Sequence, residues 1–232
     1  MGAQWKNAGK AAAAAKKGSV ITKIAKEIQV ASRMGGPDPV YNARLRLALD
    51  HAKKNSVPND TIDRAIKKGA GLLEGQAIEE ITYEGYGPHG VGVIVECQTD
   101  NRNRTAPDMR HLFKSHGGNL GESGSVMWMF QRICLIEATK TGNFDPEEEA
   151  IEVGANEVEK SEDSFEFYGA AEDLATIQAA LQNRGWKITA AELSYKASNI
   201  TDLLGPQLQE VQEFLQELQT NEDTHRIHAT LK

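Results

Sequence analysis

Val91-Gly92-Val93-Ile94-Val95-Glu96-Cys97 is the stretch that decides the fold class. Val91, Val93, Val95 and Cys97 occupy every second position, so one face of an extended strand is wholly apolar. The run follows Gly85-Tyr86-Gly87-Pro88-His89-Gly90, which satisfies G-x-G-x-x-G letter by letter. That fingerprint holds dinucleotide phosphates only where a strand precedes it and a helix follows. Here a strand follows, so the glycines read as a hairpin loop, with Tyr83 and Tyr86 on the partner strand. A G-x-x-x-x-G-K-[ST] phosphate loop occurs nowhere in the chain, which sets aside P-loop nucleotidases.

Upstream of residue 71 the period is helical. Ile21, Ile24, Ala25, Ile28 and Ala31 form one stripe, and Gly35-Gly36-Pro37-Asp38-Pro39 ends it. Leu45, Ala48, Leu49 and Ala52 form a second. Pro58 opens a third helix with Ile62, Ala65 and Ile66 inward, and Gly69 stops it. Residues 1–19, with Lys6, Lys10, Lys16 and Lys17 around an alanine run, read as a flexible basic arm that orders on binding, or as a frayed terminus.

Downstream, a helix is expected over residues 105–116 and strands over 125–130 and 134–138. Asp145, Pro146 and Glu148 then open another helix, with Asp145 as its cap. A strand over 165–168, a helix carrying Leu174, Ile177 and Leu181, and a strand over 187–195 come next. Leu204, Leu208, Val211, Leu215 and Leu218 mark a last helix, spaced for a short coiled-coil seam or for packing on a sheet; the second fits its length better. Residues 225–231 read as a final strand. Hairpins mixed with helices give an α+β fold rather than a doubly wound sheet. The expected organisation is an arm (1–19), a basic three-helix domain (20–75), a middle α+β domain (80–132 with 203–232) and an acidic α+β domain (133–202).

The charge distribution supports this division. The chain has 232 residues and a formal net charge of -7. Residues 1–71 hold 14 Lys and Arg against 5 Asp and Glu, whereas residues 141–232 hold 6 against 19. A run of like charge on one helix is commonly a solvated face, but a whole block this basic attracts polyanions over a Debye length. The expected nucleic-acid contacts are Lys23, Arg44, Arg46, Lys53, Lys54, Arg64, Lys67 and Lys68. Asn101, Arg102, Asn103, Arg104 and Thr105 sit before a helix start. They suit either a second anion site or an ordinary capping turn. The glycine-dense residues 117–125 suit close backbone approach or tight turns.

Enzyme chemistry has little support. His111 and His116 are five apart, about 500° around a helix, and His225 and His228 point to opposite faces of a strand, so no metal set forms. Cys97 falls on an apolar strand face, the wrong setting for a nucleophile. No metal and no cofactor are expected. Two cysteines do not make a disulfide scaffold, no 18-residue apolar run is present, and neither a secretory leader nor a myristoylation pattern opens the chain. A cytoplasmic protein with reduced thiols and no membrane partner is expected; the oligomeric state is left open.

Several segments carry a resemblance. They are Met34-Gly35-Gly36-Pro37-Asp38-Pro39, Asn42-Ala43-Arg44-Leu45-Arg46, Ala65-Ile66-Lys67-Lys68-Gly69-Ala70-Gly71, Tyr83-Glu84-Gly85-Tyr86-Gly87-Pro88, Thr99-Asp100-Asn101-Arg102-Asn103-Arg104-Thr105, His116-Gly117-Gly118-Asn119-Leu120-Gly121 and Gly124-Ser125-Val126. In this order, over essentially the whole chain, they resemble the YebC/PmpR family. The resemblance implies a basic helical domain and two α+β domains around a cleft, the middle one completed by the C-terminal helix and strand. It departs at Gln4-Trp5-Lys6-Asn7-Ala8-Gly9-Lys10, where the family's arm is longer and more basic. The family's usual label implies a DNA-binding transcriptional regulator. Its mitochondrial relatives, translational activators of cytochrome oxidase, imply a ribosome-associated factor binding rRNA or tRNA. A cleft enzyme is the third reading.

Overall fold

A computed structural model describes residues 4–161 and 164–231, with side chains from residue 18 onward. Among them, fifteen principal elements run in the order α1 (Gln4–Gly35), α2 (Ala43–Lys54), α3 (Asn59–Gly69), β1 (Glu79–Tyr86), β2 (Gly92–Thr99), α4 (Arg102–Ser115), β3 (Asn119–Leu120), β4 (Phe130–Thr139), α5 (Pro146–Val153), β5 (Glu157–Lys160), β6 (Phe165–Ala170), α6 (Leu174–Asn183), β7 (Lys187–Ala197), α7 (Pro206–Thr220) and β8 (Thr224–Ala229). The fold is mixed α+β. No helix is long and apolar enough to cross a membrane among the described residues.

The chain divides into two compact units. One holds residues 1–127 and 201–232, the other residues 128–200. The first begins with three packed helices. Ile24, Ile28 and Ala31 of α1 meet Leu45, Ala48 and Ala52 of α2 and Ala65 of α3, with Val57 closing the α2–α3 turn. Gly69 permits the α1–α3 approach, because a Cβ there would lie 2.2 Å from the Gln29 carbonyl oxygen. The first helix reaches back to Gln4, through the segment read as an arm. Alanine is the best helix former, and a helix already fixed by packing propagates cheaply.

The same unit contains an antiparallel sheet of order β3-β1-β2-β8. Val91, Val93, Val95 and Cys97 pack beneath α4 and α7 against Met109, Phe113, Val211, Phe214 and Leu218. The Phe113 and Phe214 rings meet edge to face at 5.0 Å. The last helix therefore lies on the sheet, with Leu204 exposed rather than in a seam. These rings also explain two glycines, one at the end of β1 and one in the turn after it. A Cβ at Gly85 would strike the Phe113 ring at 2.7 Å, and one at Gly87 the Phe214 ring at 2.7 Å.

The strand expected over residues 125–130 does not form; a turn and a short 3-10 helix at Met127–Met129 stand there, and β4 begins at Phe130. The buried Glu84 carboxylate accepts the N–H groups of Gly124 (2.7 Å), Val126 (3.0 Å) and Met127 (2.9 Å). Backbone donors used in this way have no ladder to join.

The second unit is an antiparallel sheet of order β5-β6-β4-β7. Cys134, Ile136, Phe167, Ile177, Leu181 and Trp186 lie in its core with α5 and α6. Asp145 caps α5, accepting from Glu147 and Glu148, and Gly154 ends it at φ 80°. Strand β5 had no apolar period to announce it. It is a short, charged edge strand, a common way of discouraging edge-to-edge pairing.

Candidate nucleic-acid interface

The basic residues of the helical region fall into two groups. The first is spent on joining the three helices to the sheet that follows. Lys23 Nζ donates to the Gln219 carbonyl at 2.5 Å. Lys26 Nζ reaches Asp223 Oδ1 at 2.5 Å and the Glu222 carbonyl at 2.9 Å. The Asp223 side chain is 1% exposed. It also accepts from Arg104 Nη2 at 3.0 Å through both oxygens and from Thr105 Oγ1 at 2.8 Å. Burial alone would push this carboxyl up, but the bonds from Lys26, Arg104 and Thr105 prevail and hold it below the ordinary range. Burial, then the neighbouring Lys26, pull the Lys23 ammonium down from its ordinary value.

Arg44 belongs to this group as well. Its Nε donates to Glu27 Oε1 at 2.8 Å, and its Nη2 to Glu27 Oε2 at 3.2 Å and Glu80 Oε1 at 3.0 Å. Gln98 Nε2 adds a bond to Glu27 Oε2 at 2.7 Å. Burial opposes charge on Arg44, yet the bonds to Glu27 and Glu80 raise its pKa above an already high value. Arg44 ties α1 and α2 to β1 and does not present its guanidinium to a ligand.

The second group faces outward. Arg46, Lys54, Lys67 and Lys68 are exposed and have no ion-pair partner among the described residues. Lys53 approaches Asp50 at 3.7 Å, and Arg64 pairs with Asp60 one turn away. Exposed pairs of this kind are worth about 0–1 kcal/mol and yield readily to a phosphate. Arg64, Lys67 and Lys68 share one face of α3, because positions three and four apart are helix neighbours. That face flanks Ala65, which packs in the three-helix core.

Residues 101–105 are built as a cap. Asn101 begins α4, its Oδ1 accepting from the Arg104 N–H at 3.1 Å and its N–H donating to Thr99 Oγ1 at 2.9 Å. Thr105 Oγ1 bonds Thr99 Oγ1 at 2.8 Å, and Arg104 is held by Asp223 and Asp100. Arg102 and Asn103 are exposed in the first turn. The two sets of candidate residues thus meet at Asp223, through Lys26 beside Lys23 on one side and Arg104 on the other. Sequence reasoning missed Lys26, Glu27 and Asp223 as the joining residues. Their only signal is a charge amid apolar periods, which does not reveal partners far along the chain.

Two other observations bear on chemistry. Burial, then Asp223, push the Cys97 thiol up to about 12, so it is protonated and packed at neutral pH. The turn before α2 exposes Val40 (69%) and Tyr41 (86%) beside the outward cations.

The N-terminal domain of the TACO1/YebC proteins matches residues 2–72, and the second and third domains match residues 78–231. A probable transcriptional regulatory protein of Bdellovibrio bacteriovorus is 66% identical over 232 residues, covering 100% of both chains. One from Myxococcus xanthus is 46% identical, over 95% of this chain and 89% of its own. The crystal structure of a conserved hypothetical protein of Aquifex aeolicus superposes with a TM-score of 0.83 at 41% identity, covering 94% of this chain and 90% of that one. Helical region, inserted second unit and completing C-terminal strand all lie inside these matches, and the chain belongs to the TACO1/YebC family.

Proposed function

We propose that this protein regulates gene expression in the cytoplasm by binding nucleic acid, without catalysis, through phosphate contacts from Arg46, Lys53, Lys54, Arg64, Lys67 and Lys68. One observation carries the reading. The bundle buries or pairs Lys23, Lys26 and Arg44, yet leaves Arg46, Lys54, Lys67 and Lys68 exposed without carboxylates. The names of the curated relatives, probable transcriptional regulatory proteins, agree with a regulator. Phosphate contacts position a protein without reading sequence. The outward face of α3 beyond its first turn carries Asp63, Arg64, Lys67 and Lys68, and Asn59 at the first position is the one amide on this helix able to read an adenine edge, which favours general over sequence-specific binding.

A second reading, RNA on the ribosome rather than duplex DNA, is favoured by exposed Val40 and Tyr41. Phosphate contacts have no use for apolar side chains, whereas unpaired RNA bases stack on them.

Fluorescence anisotropy with a DNA duplex and an RNA stem-loop, at matched salt, tests the proposal. Six phosphate contacts give a slope of about -5 in log K against log salt on duplex DNA. Arg46→Glu/Lys67→Glu/Lys68→Glu should weaken every probe and flatten that slope by about 3. Wild-type protein that binds neither probe at low salt, or a triple variant that binds as wild type does, overturns the assignment. A preference for duplex DNA above about tenfold rejects the RNA reading.

A further inference from the structure

The turn before α2 is built rigidly and then left uncovered. Asn42, almost fully buried, donates through Nδ2 to the carbonyls of Ala31 (2.7 Å) and Gly36 (2.8 Å) and accepts the Leu45 N–H at 3.0 Å. Asp38 accepts the Val40 N–H at 2.8 Å through Oδ1, and its carbonyl takes the N–H groups of Tyr41 and Asn42. Gly35 leaves room for this, since a Cβ there would stand 2.7 Å from the Asn42 side chain. A loop so fixed has already lost the conformational freedom that binding would otherwise remove. What it holds out is Val40 and Tyr41, with no ring contact or hydrogen bond from the Tyr41 side chain among the described residues.

Beside them lies a groove of about 320 Å³ lined by Pro39, Val40, Arg46, Leu49, Asp50 and Lys53. Its floor is apolar, from Pro39, Val40 and Leu49. Its rim carries two cations and one carboxylate. That volume is within the range of small-ligand sites. A flat apolar surface beside cations is the pairing that an unstacked nucleotide needs: a place for the ring and a place for the phosphate.

We infer that this groove and Tyr41 seat an unpaired nucleotide of RNA, the base against Tyr41, Val40 and Pro39, and the flanking phosphates on Arg46 and Lys53. The inference rests on the nucleic-acid reading above and adds a base-stacking site to it. Asp50 offers an acceptor to base N–H groups at the groove edge. Duplex nucleic acid, whose bases are stacked inward, engages the cations but not Tyr41.

The test uses the full chain and an RNA hairpin with a loop of uridines, one of them 5-iodouridine, against the same stem closed as a duplex. Tyr41→Ala should weaken hairpin binding at least about fivefold, the lower end of what one stacked base contributes. It should leave duplex binding and the salt slope within error, since no phosphate contact is lost. Tyr41→Trp should restore the affinity, and irradiation should cross-link the loop to the peptide holding Tyr41. Tyr41 is exposed, so none of these variants threatens folding. Tyr41→Ala that binds the hairpin as wild type does, or that weakens hairpin and duplex equally, overturns the stacking site while leaving phosphate binding intact. Loss of self-association in sedimentation, with RNA binding unchanged, overturns it in favour of a protein contact. A wild-type chain that binds neither RNA removes the polyanion reading first.

Discussion

Glu149 offers a quantitative test of how the second unit is held. Its Oε2 accepts from Arg184 Nε at 2.8 Å and Trp186 Nε1 at 3.0 Å, and its Oε1 from Lys140 Nζ at 2.8 Å. Bonds from Arg184, Lys140 and Trp186, in that order, hold its carboxyl at about 2 instead of 4.5. A depression of that size corresponds to about 3 kcal/mol at neutral pH. The Arg184 side chain is 38% exposed, and solvent screening there leaves about 2 kcal/mol. Above about pH 4.5 the carboxylate is ionised in folded and unfolded chains alike, and the whole contribution is present. As pH falls from 4.5 towards 2, the unfolded chain takes up a proton that the folded chain refuses, and the contribution fades. Glu149→Gln keeps an acceptor for Trp186 but gives up the charge. Trp186 sits among Phe144, Phe165 and Phe167 at ring distances of 4.9, 5.6 and 4.9 Å, whereas Trp128 is exposed, so in a Trp5→Phe background blue-shifted emission reports this core. In urea, the Trp186 transition of the variant should shift down by roughly 1 M at pH 7. The gap should shrink to about a quarter of its neutral value by pH 2.5 and close below pH 2. A gap that stays constant from pH 7 to 2.5, or no gap at pH 7, would refute the account of Glu149 as an ionised keystone.

Asp223→Asn should cost about 3 kcal/mol, because Lys26 and Arg104 lose a buried carboxylate partner; hydrogen exchange should quicken in α1 and α7 and not around Trp186. Arg44→Glu and Arg46→Glu should separate: the first lowers stability by meeting Glu27 and Glu80 with like charge, the second spares the denaturation midpoint and weakens nucleic-acid binding. Gly69→Ala should destabilise the three-helix core by about 1–3 kcal/mol, since its methyl would meet the Gln29 carbonyl; a helical circular-dichroism melt unchanged from wild type contradicts that packing.

The readable parts of this fold were those whose signal is local. Alternation at Val91, Val93, Val95 and Cys97 located β2, and Asp145 with Pro146 located the start of α5, because a strand face and a cap are properties of neighbouring residues. The unreadable parts depend on distant partners. Lys26 and Asp223 are 197 positions apart, and Glu84 reaches residues 40 to 43 positions away. The second case produced a false strand, because Val126 and Phe130 look like one face of a ladder until Glu84 takes the amides of Gly124, Val126 and Met127. Arg44 and Arg46 show the same limit at a candidate site. Two positions apart on a helix, they stand about 200° around it and cannot share a face, but only the carboxylates of Glu27 and Glu80 decide which of them turns inward.

The strand order β3-β1-β2-β8 has a consequence for synthesis. Strand β2 stands in the middle of its sheet, yet one edge is closed by β8, after the whole second unit has been made. A nascent chain therefore carries that edge open for roughly ten seconds at ordinary elongation rates. Asp223, which fastens α1 to the sheet, arrives in the same late stretch. A product cut short before residue 223 would keep its basic helices but lose both their anchor and the sheet's last strand. Strand β2, whose apolar side chains form the middle of the core, would then stand as an unpaired edge, the arrangement that invites pairing with another chain.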